Sequence, residues 1–424
     1  MSTADILDDL NARGLIHDTT AFDELRERLR RGPITVYAGF DPTADSLHVG
    51  NLVPLLLLRR FQIFGHRPVA LAGGATGMIG DPGGRSSERN LLDAATLDAN
   101  LRAIEPQLAM LLDFAPGATQ AQLVDNRDWT EPIGVLEFLR DVGKHVTVNT
   151  MLAKDSIRSR VESDAGISYT EFSYMLLQAN DYRHLFTTMD VELQVGGSDQ
   201  WGNITAGIDL IRRTEGAHVH GLTVPLVTRA DGQKFGKSVD GAVWLSPERT
   251  TPYAFFQYFM NVDDRDVERF LLQMTLVPVD EIAAVMADHV ADPGRRSAQR
   301  VLARAVTALV HGEAEAERAA TASQGFTRTA AELTREDWEE LAASMPILEL
   351  GPDDIGRDLI EVLADHGAVA SRSEGRRLVA QSGISLNDLV VAEGRALEAA
   401  DLGDHGFAMV RRGKKHRFVL RLGS

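Results

Sequence analysis

The strongest constraint on this chain is an alternation that runs through its first half. Short apolar segments at 34–40, 68–72, 122–125, 191–195 and 222–227 have the length and composition of buried strands. Longer segments with helical spacing separate or follow them, at 51–64, 97–112, 132–142, 170–185 and 200–212. This order predicts a mainly parallel sheet with helices on both faces, an α/β domain over 1–230. Ligands of such sheets bind beyond the carboxyl ends of the strands, where Asp41 and the run Gly196-Gly197-Ser198-Asp199 fall. From 251 to about 325 the strand signal disappears, which predicts an all-α domain. The stretch 326–358 is expected to be a linker, because 346–356 is rich in Pro, Gly and Asp. A small α+β domain is expected over 359–424.

At 424 residues the chain exceeds one ordinary core, in keeping with several domains. No stretch approaches the roughly 20 apolar residues of a membrane helix, so no membrane partner is expected. The chain has no cysteine, which excludes disulfides, thiolate metal sites and cysteine nucleophiles and fits a cytoplasmic enzyme. The first ten residues carry Asp5, Asp8 and Asp9, wrong for a secretory signal. The formal charge of −17 argues against general nucleic-acid binding, but it is unevenly spread. From Ser371 onward ten Arg and Lys face six Asp and Glu, so a basic module is attached to an acidic body.

Two short motifs carry chemistry. His48-Val49-Gly50-Asn51 follows a strand and opens a helix, where unpaired backbone N–H groups and the positive dipole end suit phosphates. Ser46 or Asp45 is expected to cap that helix. His48 and Asn51 lie three apart, on adjacent turns of one face. Pro54 must either sit in the first turn or kink the helix. The loop Lys234-Phe235-Gly236-Lys237-Ser238 brings two ammonium groups and a hydroxyl, suited to the oxygens of a leaving pyrophosphate. Taken alone, the first motif reads more often as a surface histidine and the second more safely as a solvated hairpin tip.

Other segments narrow the choice. Gly73-Gly74-Ala75-Thr76-Gly77-Met78-Ile79-Gly80-Asp81-Pro82 fits neither the Walker pattern nor the dinucleotide fingerprint and reads as a tight turn presenting Asp81. Gly196-Gly197-Ser198-Asp199-Gln200 lacks the last glycine of a nucleophile elbow, and Asp199 is placed to accept from a ribose hydroxyl. Tyr174, Gln178 and Asp181 form a polar stripe without Lys, Arg or Glu, suited to an amino acid's ammonium group and a polar side-chain tip. No metal-ligand cluster is evident, so Mg²⁺ is expected to arrive with a nucleotide.

Together these residues closely resemble the bacterial-type tyrosyl-tRNA synthetases. His48 to Asn51 resembles the family's His-Ile-Gly-His signature and Lys234 to Ser238 its Lys-Met-Ser-Lys-Ser signature. Tyr37-x-Gly39-Phe40-Asp41-Pro42-Thr43, Gly73 to Asp81, Thr170 to Tyr174 and Gln194 to Asn203 match it too. Ser371 to Leu378 and Gly413-Lys414-Lys415 resemble its C-terminal RNA-binding module. The resemblance spans nearly the whole chain in order. It departs at Asn51, which replaces the second His, and at Phe235-Gly236, which replaces Met-Ser.

The resemblance implies a Rossmann-like catalytic domain with a dimerisation insertion near 129–160 and a mobile loop and connector over 231–250. It further implies a helical anticodon-binding domain over 251–325 and an RNA-binding domain over 359–424. The substrates would be L-tyrosine, ATP with nucleotide-borne Mg²⁺ and the tRNA for tyrosine, with no tightly bound cofactor, and the protein would be a homodimer. Tyr37 and Asp181 would bind the phenol hydroxyl; Tyr174, Gln178 and Asp81 the ammonium group; Gln194 and Gln200 would place the carboxylate. Gly39, Asp41, Thr43, His48, Gly50, Gly197, Asp199 and Lys237 would hold ATP. His48, Asn51, Lys234, Lys237 and Ser238 would stabilise the transition state. Arg372, Arg376, Arg377, Lys414 and Lys415 would contact tRNA. A tryptophanyl enzyme, a smaller nucleotidyltransferase and a catalytically silent RNA-binding paralogue are the competing readings.

Overall fold

A computed structural model describes residues 5–82, 92–162, 166–230, 232, 235–238, 241–325, 330–413 and 416–423. The chain divides into two compact units. One takes the residues up to Arg249 together with Val262–Leu302, and the other takes Thr250–Asn261 and everything from Ala303 on.

The first unit is built on six strands: β1 (Asp18–Thr19), β2 (Thr35–Phe40), β3 (Arg67–Ala72), β4 (Gln122–Asp125), β5 (Val191–Gly197) and β6 (His220–Val224). Their order is β1-β6-β5-β2-β3-β4. All neighbours run parallel except β1, which is antiparallel to β6. The chain moves from β2 outward through β3 and β4, then returns to place β5 on the other flank of β2. That reversal opens a crevice beyond the carboxyl ends of β2 and β5. The expected strand at 222–227 ends earlier, at Val224, because Pro225 has no N–H for the ladder.

The helix Val49–Ile63 packs against β2, β3 and β5. Val49, Leu52, Val53, Leu55, Leu56, Leu57, Leu58 and Phe61 are all buried, so it is apolar around most of its circumference. Pro54 lies inside it, past the first turn, and removes the N–H that would reach back to the Gly50 carbonyl. The cap is His48 rather than Ser46 or Asp45. Ser46 is buried instead, its hydroxyl donating to the Leu47 carbonyl at 2.8 Å.

The helix Tyr169–Met189 is capped by Ser168, whose hydroxyl accepts from the Glu171 N–H, and it ends on Asp190 at φ 54°. It lies against the helix Trp201–Thr214. Close approach depends on Gly207, where a Cβ would sit 3.0 Å from Tyr182. Across the sheet edge Tyr182 donates to the His220 carbonyl at 2.7 Å, tying this helix to β6.

The second unit contains the helices Pro252–Met260, Glu313–Gly325 and Arg335–Ser344. Its sheet comprises β9 (Ile347–Leu350), β10 (Ile384–Leu386), β11 (Leu389–Val390), β12 (Phe407–Arg412) and β13 (His416–Leu422), in the order β11-β10-β12-β13-β9. The helices Leu359–Asp365 and Arg372–Ala380 cover it through Leu359, Ile360, Leu363 and Val379. The stretch 326–358, expected as a linker, therefore carries a helix and an edge strand. Leu348 and Leu350 point into the core and pair in parallel with Leu420 and Leu422, a two-residue alternation hidden between turn residues. Among the described residues no helix is long and apolar enough to cross a membrane.

Candidate active site

The crevice at the strand ends collects most of the singled-out residues. Gly39 is the exposed member of an otherwise buried β2, leaving backbone open to a ligand. Beyond it, Asp41 accepts from the Thr76 hydroxyl at 2.7 Å and from the Tyr174 hydroxyl at 2.8 Å. These contacts require Gly73, since a Cβ there would lie 2.1 Å from an Asp41 oxygen. Gly74 has the same role towards Asp125, whose carboxylate accepts from the Gly74 N–H at 3.1 Å. The Gly73-Gly74 turn thus serves close packing of carboxylates against backbone.

Deeper in the crevice lies Asp181, which is 2% exposed. Its carboxylate accepts from Asn126 Nδ2 at 2.9 Å and from Trp129 Nε1 at 2.8 Å. Asn126 is itself fully buried and held by the Ala75 N–H at 2.7 Å and Thr76 Oγ1 at 3.0 Å. Trp129 stacks on His184, 4.4 Å between ring centroids. Burial pushes the Asp181 carboxyl up to about 7 against the pull of the Asn126 and Trp129 hydrogen bonds. Beside it, Tyr37 is 1% exposed and its hydroxyl has no hydrogen-bond partner. Burial, then the Asp181 charge, raises the Tyr37 phenol far above its ordinary range, so it stays a neutral donor. The buried Tyr37 donor stays unsatisfied until a ligand hydroxyl arrives, and the neighbouring carboxylate keeps acceptor capacity beyond its two hydrogen bonds.

A second polar chain runs from Gln178 Nε2 to Gln200 Oε1 at 3.3 Å and from Gln200 Nε2 to an Asp81 oxygen at 2.7 Å. Gln178 Oε1 and the buried Gln194 Oε1 have no partner. Gln194 stands opposite Tyr37 in the β2–β5 register, so the two are cross-strand neighbours. Asp199 is exposed at the tip of β5, close enough to Gly197 that a Cβ there would lie 2.5 Å from its Oδ1. Thr43 is exposed after β2, its N–H donating to the Asp41 carbonyl at 2.8 Å.

At the mouth of the Val49–Ile63 helix, the His48 N–H donates to Asn51 Oδ1 at 3.1 Å. The exposed His48 ring lies over Gly50, where a Cβ would be 2.7 Å from Cε1. The other basic motif joins this mouth through backbone. Lys237 and Ser238 form β7 (Lys237–Ser238), antiparallel to β8 (Gly241–Ala242). Val243 N–H donates to the Gly236 carbonyl, and the Val49 N–H donates to the Val243 carbonyl, each at 2.9 Å. At φ 87° Gly236 adopts a conformation L side chains avoid, and a Cβ there would be 3.5 Å from the Gly50 nitrogen. The two motifs, 186 positions apart, thus meet. Lys234 lies outside the described residues, as do Lys414 and Lys415. In the second unit Arg372, Arg376 and Arg377 are exposed on one helix, with Arg372 2.9 Å from Glu361.

The sequence does not single out Asn126, Thr76 and Asp125 as site residues, and Trp129 reads only as the start of the insertion. For Asp125 and Asn126 the signal is position: Asp125 ends β4 and Asn126 follows it, and polar residues at such strand ends face the crevice.

Comparison with known proteins gives the class. Residues 29–327 match the family of tRNA synthetases class I (W and Y), and residues 337–420 match the Tyrosine--tRNA ligase SYY-like C-terminal domain. The tyrosine--tRNA ligase of Opitutus terrae is 51% identical over 98% of this chain and 99% of its own. That of Roseiflexus castenholzii is 49% identical over the same shares. A crystal structure of a C-terminally truncated mitochondrial tyrosyl-tRNA synthetase from Aspergillus nidulans superposes with a TM-score of 0.70 at 31% identity, covering 76% of this chain and 94% of that one. The chain belongs to the class I aminoacyl-tRNA synthetases and, within them, to the tyrosine--tRNA ligase family.

The Asp181 proton gives a direct test of the site's electrostatics. The folded protein holds it up to about pH 7, the unfolded chain only to the ordinary value of 3.8. The folded state binds more protons between those limits, so this group's stabilisation is present below the lower value and is lost as pH rises through the upper. Asp181→Asn removes the titration. The thermal midpoint of wild type minus variant should fall from about pH 4 to about pH 7 and stay level above. A flat difference would show that Asp181 titrates normally.

Proposed function

We propose that this chain activates L-tyrosine with ATP, forming tyrosyl-adenylate and pyrophosphate, then transfers the tyrosyl group to the 3′ end of the tRNA for tyrosine. The observation that carries this reading is the unpartnered Tyr37 hydroxyl beside the buried Asp181 carboxylate. A phenol hydroxyl satisfies both, accepting from Tyr37 and donating to Asp181. Phenylalanine would leave the Tyr37 hydroxyl unpaired and offer Asp181 no donor. An indole has no hydroxyl to place there, which disfavours the tryptophanyl reading.

The reactive end follows from the same crevice. Tyr174, Gln178 and Asp81 receive the ammonium group, and Gln194 and Gln200 orient the carboxylate. That carboxylate is ionised at neutral pH and attacks the α-phosphate without a general base, so positioning and charge stabilisation carry the step. Gly39, Asp41, Thr43, Gly50, Gly197 and Asp199 cradle the nucleotide, with Asp199 on the ribose. His48, Asn51, Lys234, Lys237 and Ser238 stabilise charge on the departing phosphates. Mg²⁺ comes with the nucleotide and neutralises its phosphates.

The domain roles belong to the same reading. The loop and connector over 231–250 close on ATP, the helical segment 251–325 reads the anticodon, and 359–424 grips tRNA through Arg372, Arg376, Arg377, Lys414 and Lys415. Expected salt sensitivity of that grip follows from phosphate contacts. The protein works in the cytoplasm. It is a homodimer through 129–160, a region where Val135 and Leu136 are 75% and 83% exposed. Sedimentation should give twice the chain mass; a fully active monomer would remove the dimer.

The activity is tested by exchange of labelled pyrophosphate into ATP without tRNA. Tyrosine should support exchange, and phenylalanine and tryptophan should not. No exchange with any of them in folded protein would leave the RNA-binding reading in its place.

A further inference from the structure

We infer that Trp244, braced by Arg249 and Asp45, is a positioning residue that fixes the His48 ring against the lysine loop. The inference rests on the proposed role of His48 in stabilising the departing phosphates.

The segment after β8 zips along the helix mouth. Val243 accepts from the Val49 N–H at 2.9 Å, Leu245 donates to the Leu47 carbonyl at 2.8 Å, and the Ser246 N–H donates to Ser46 Oγ at 3.0 Å. Between these ties Trp244 stands opposite His48 in an antiparallel bridge. The backbone thus sets which residues face each other before any side chain contributes.

The side chains then form a second connection. The Trp244 indole and the His48 imidazole are tilted by 52° with centroids 6.4 Å apart. The Arg249 guanidinium sits 4.9 Å from the centre of the Trp244 ring. The same guanidinium pairs with Asp45, three residues before His48. An exposed ion pair by itself contributes little. Here it pins a cation on an indole that itself stands beside the proposed catalytic ring. The chain Asp45–Arg249–Trp244–His48 returns to the loop it started from, and so limits the directions His48 can take.

Its position explains why the connection matters for chemistry. Lys237 pairs with Ala242, the residue preceding Val243, so the bridge at Trp244 is two residues from the lysine's own pairing. A ring packed at that point relates the imidazole to the loop that carries the lysines. Neither motif's spacing in sequence contains this relation.

The test is a double-mutant cycle on tyrosine-dependent pyrophosphate exchange in the full chain. Trp244→Ala should lower kcat about tenfold with the tyrosine KM unchanged, and Trp244→Phe should recover most of the rate. Arg249→Ala, at a surface position, should lower kcat severalfold and serves as the second probe if Trp244→Ala folds poorly. In a His48→Gln background both substitutions should cost almost nothing further. Full, independent losses in that background would overturn the inference while leaving the His48 role standing, as would wild-type rates in both single variants. A His48→Gln enzyme at full rate would overturn the His48 role itself, and the inference with it.

Discussion

The site depends on one costly act, the burial of the Asp181 carboxylate. A carboxylate taken out of water must be paired or protonated. Here two neutral donors, Asn126 Nδ2 and Trp129 Nε1, hold it without cancelling its charge. An arginine partner would have neutralised it and left no demand for a ligand. Asn126 and Trp129 keep the group oriented and still able to accept, and the buried Tyr37 hydroxyl supplies the complementary donor. Much of the surrounding architecture serves to maintain this arrangement. The Gly73-Gly74 turn admits Asp41 and Asp125, the Ala75 N–H fixes Asn126, and the packing of Tyr182 over Gly207 keeps the Asp181 helix close.

The second constraint is topological. Reversal of strand order between β2 and β5 brings Tyr37, Asp41, Gln194 and Asp199 to a common edge from segments about 150 residues apart in sequence. The Val49–Ile63 helix then delivers His48 to the same edge, and the backbone ties at Val49 and Val243 bring the basic loop to it. The Tyr37–Asp181 end and the His48–Gly236 end of the crevice are therefore built by different means. Buried side chains build the first, and backbone pairing around glycines the second.

Much of this was legible in the sequence because it rests on periodicity. The strands at 34–40, 68–72 and 122–125 fall within a residue of their observed bounds, and the long helices within a few. Tyr174, Gln178 and Asp181 read correctly as one helical stripe because their spacing is local. What was illegible is nonlocal or masked by turn residues. The Asn126 and Trp129 contacts join a strand end to a helix more than fifty positions on, and no spacing announces them. Ile347 to Leu350 reads as linker because Pro346, Gly351 and Pro352 surround only four residues of strand. The cap at the helix mouth differs from the expected one for a related reason. Ser46 has good capping chemistry but is buried and already bonded to the Leu47 carbonyl, so the cap falls to His48.

The claim at the centre is that Tyr37 and Asp181 together demand a phenol hydroxyl. Calorimetric titration of L-tyrosine and L-phenylalanine into wild type and Tyr37→Phe addresses it most directly. Loss of one buried hydrogen bond should weaken tyrosine binding by roughly 5- to 100-fold in the variant, with phenylalanine affinity unchanged or improved. Equal tyrosine affinity in the two proteins would contradict the account, because the Tyr37 hydroxyl would then be an orphan that no ligand meets.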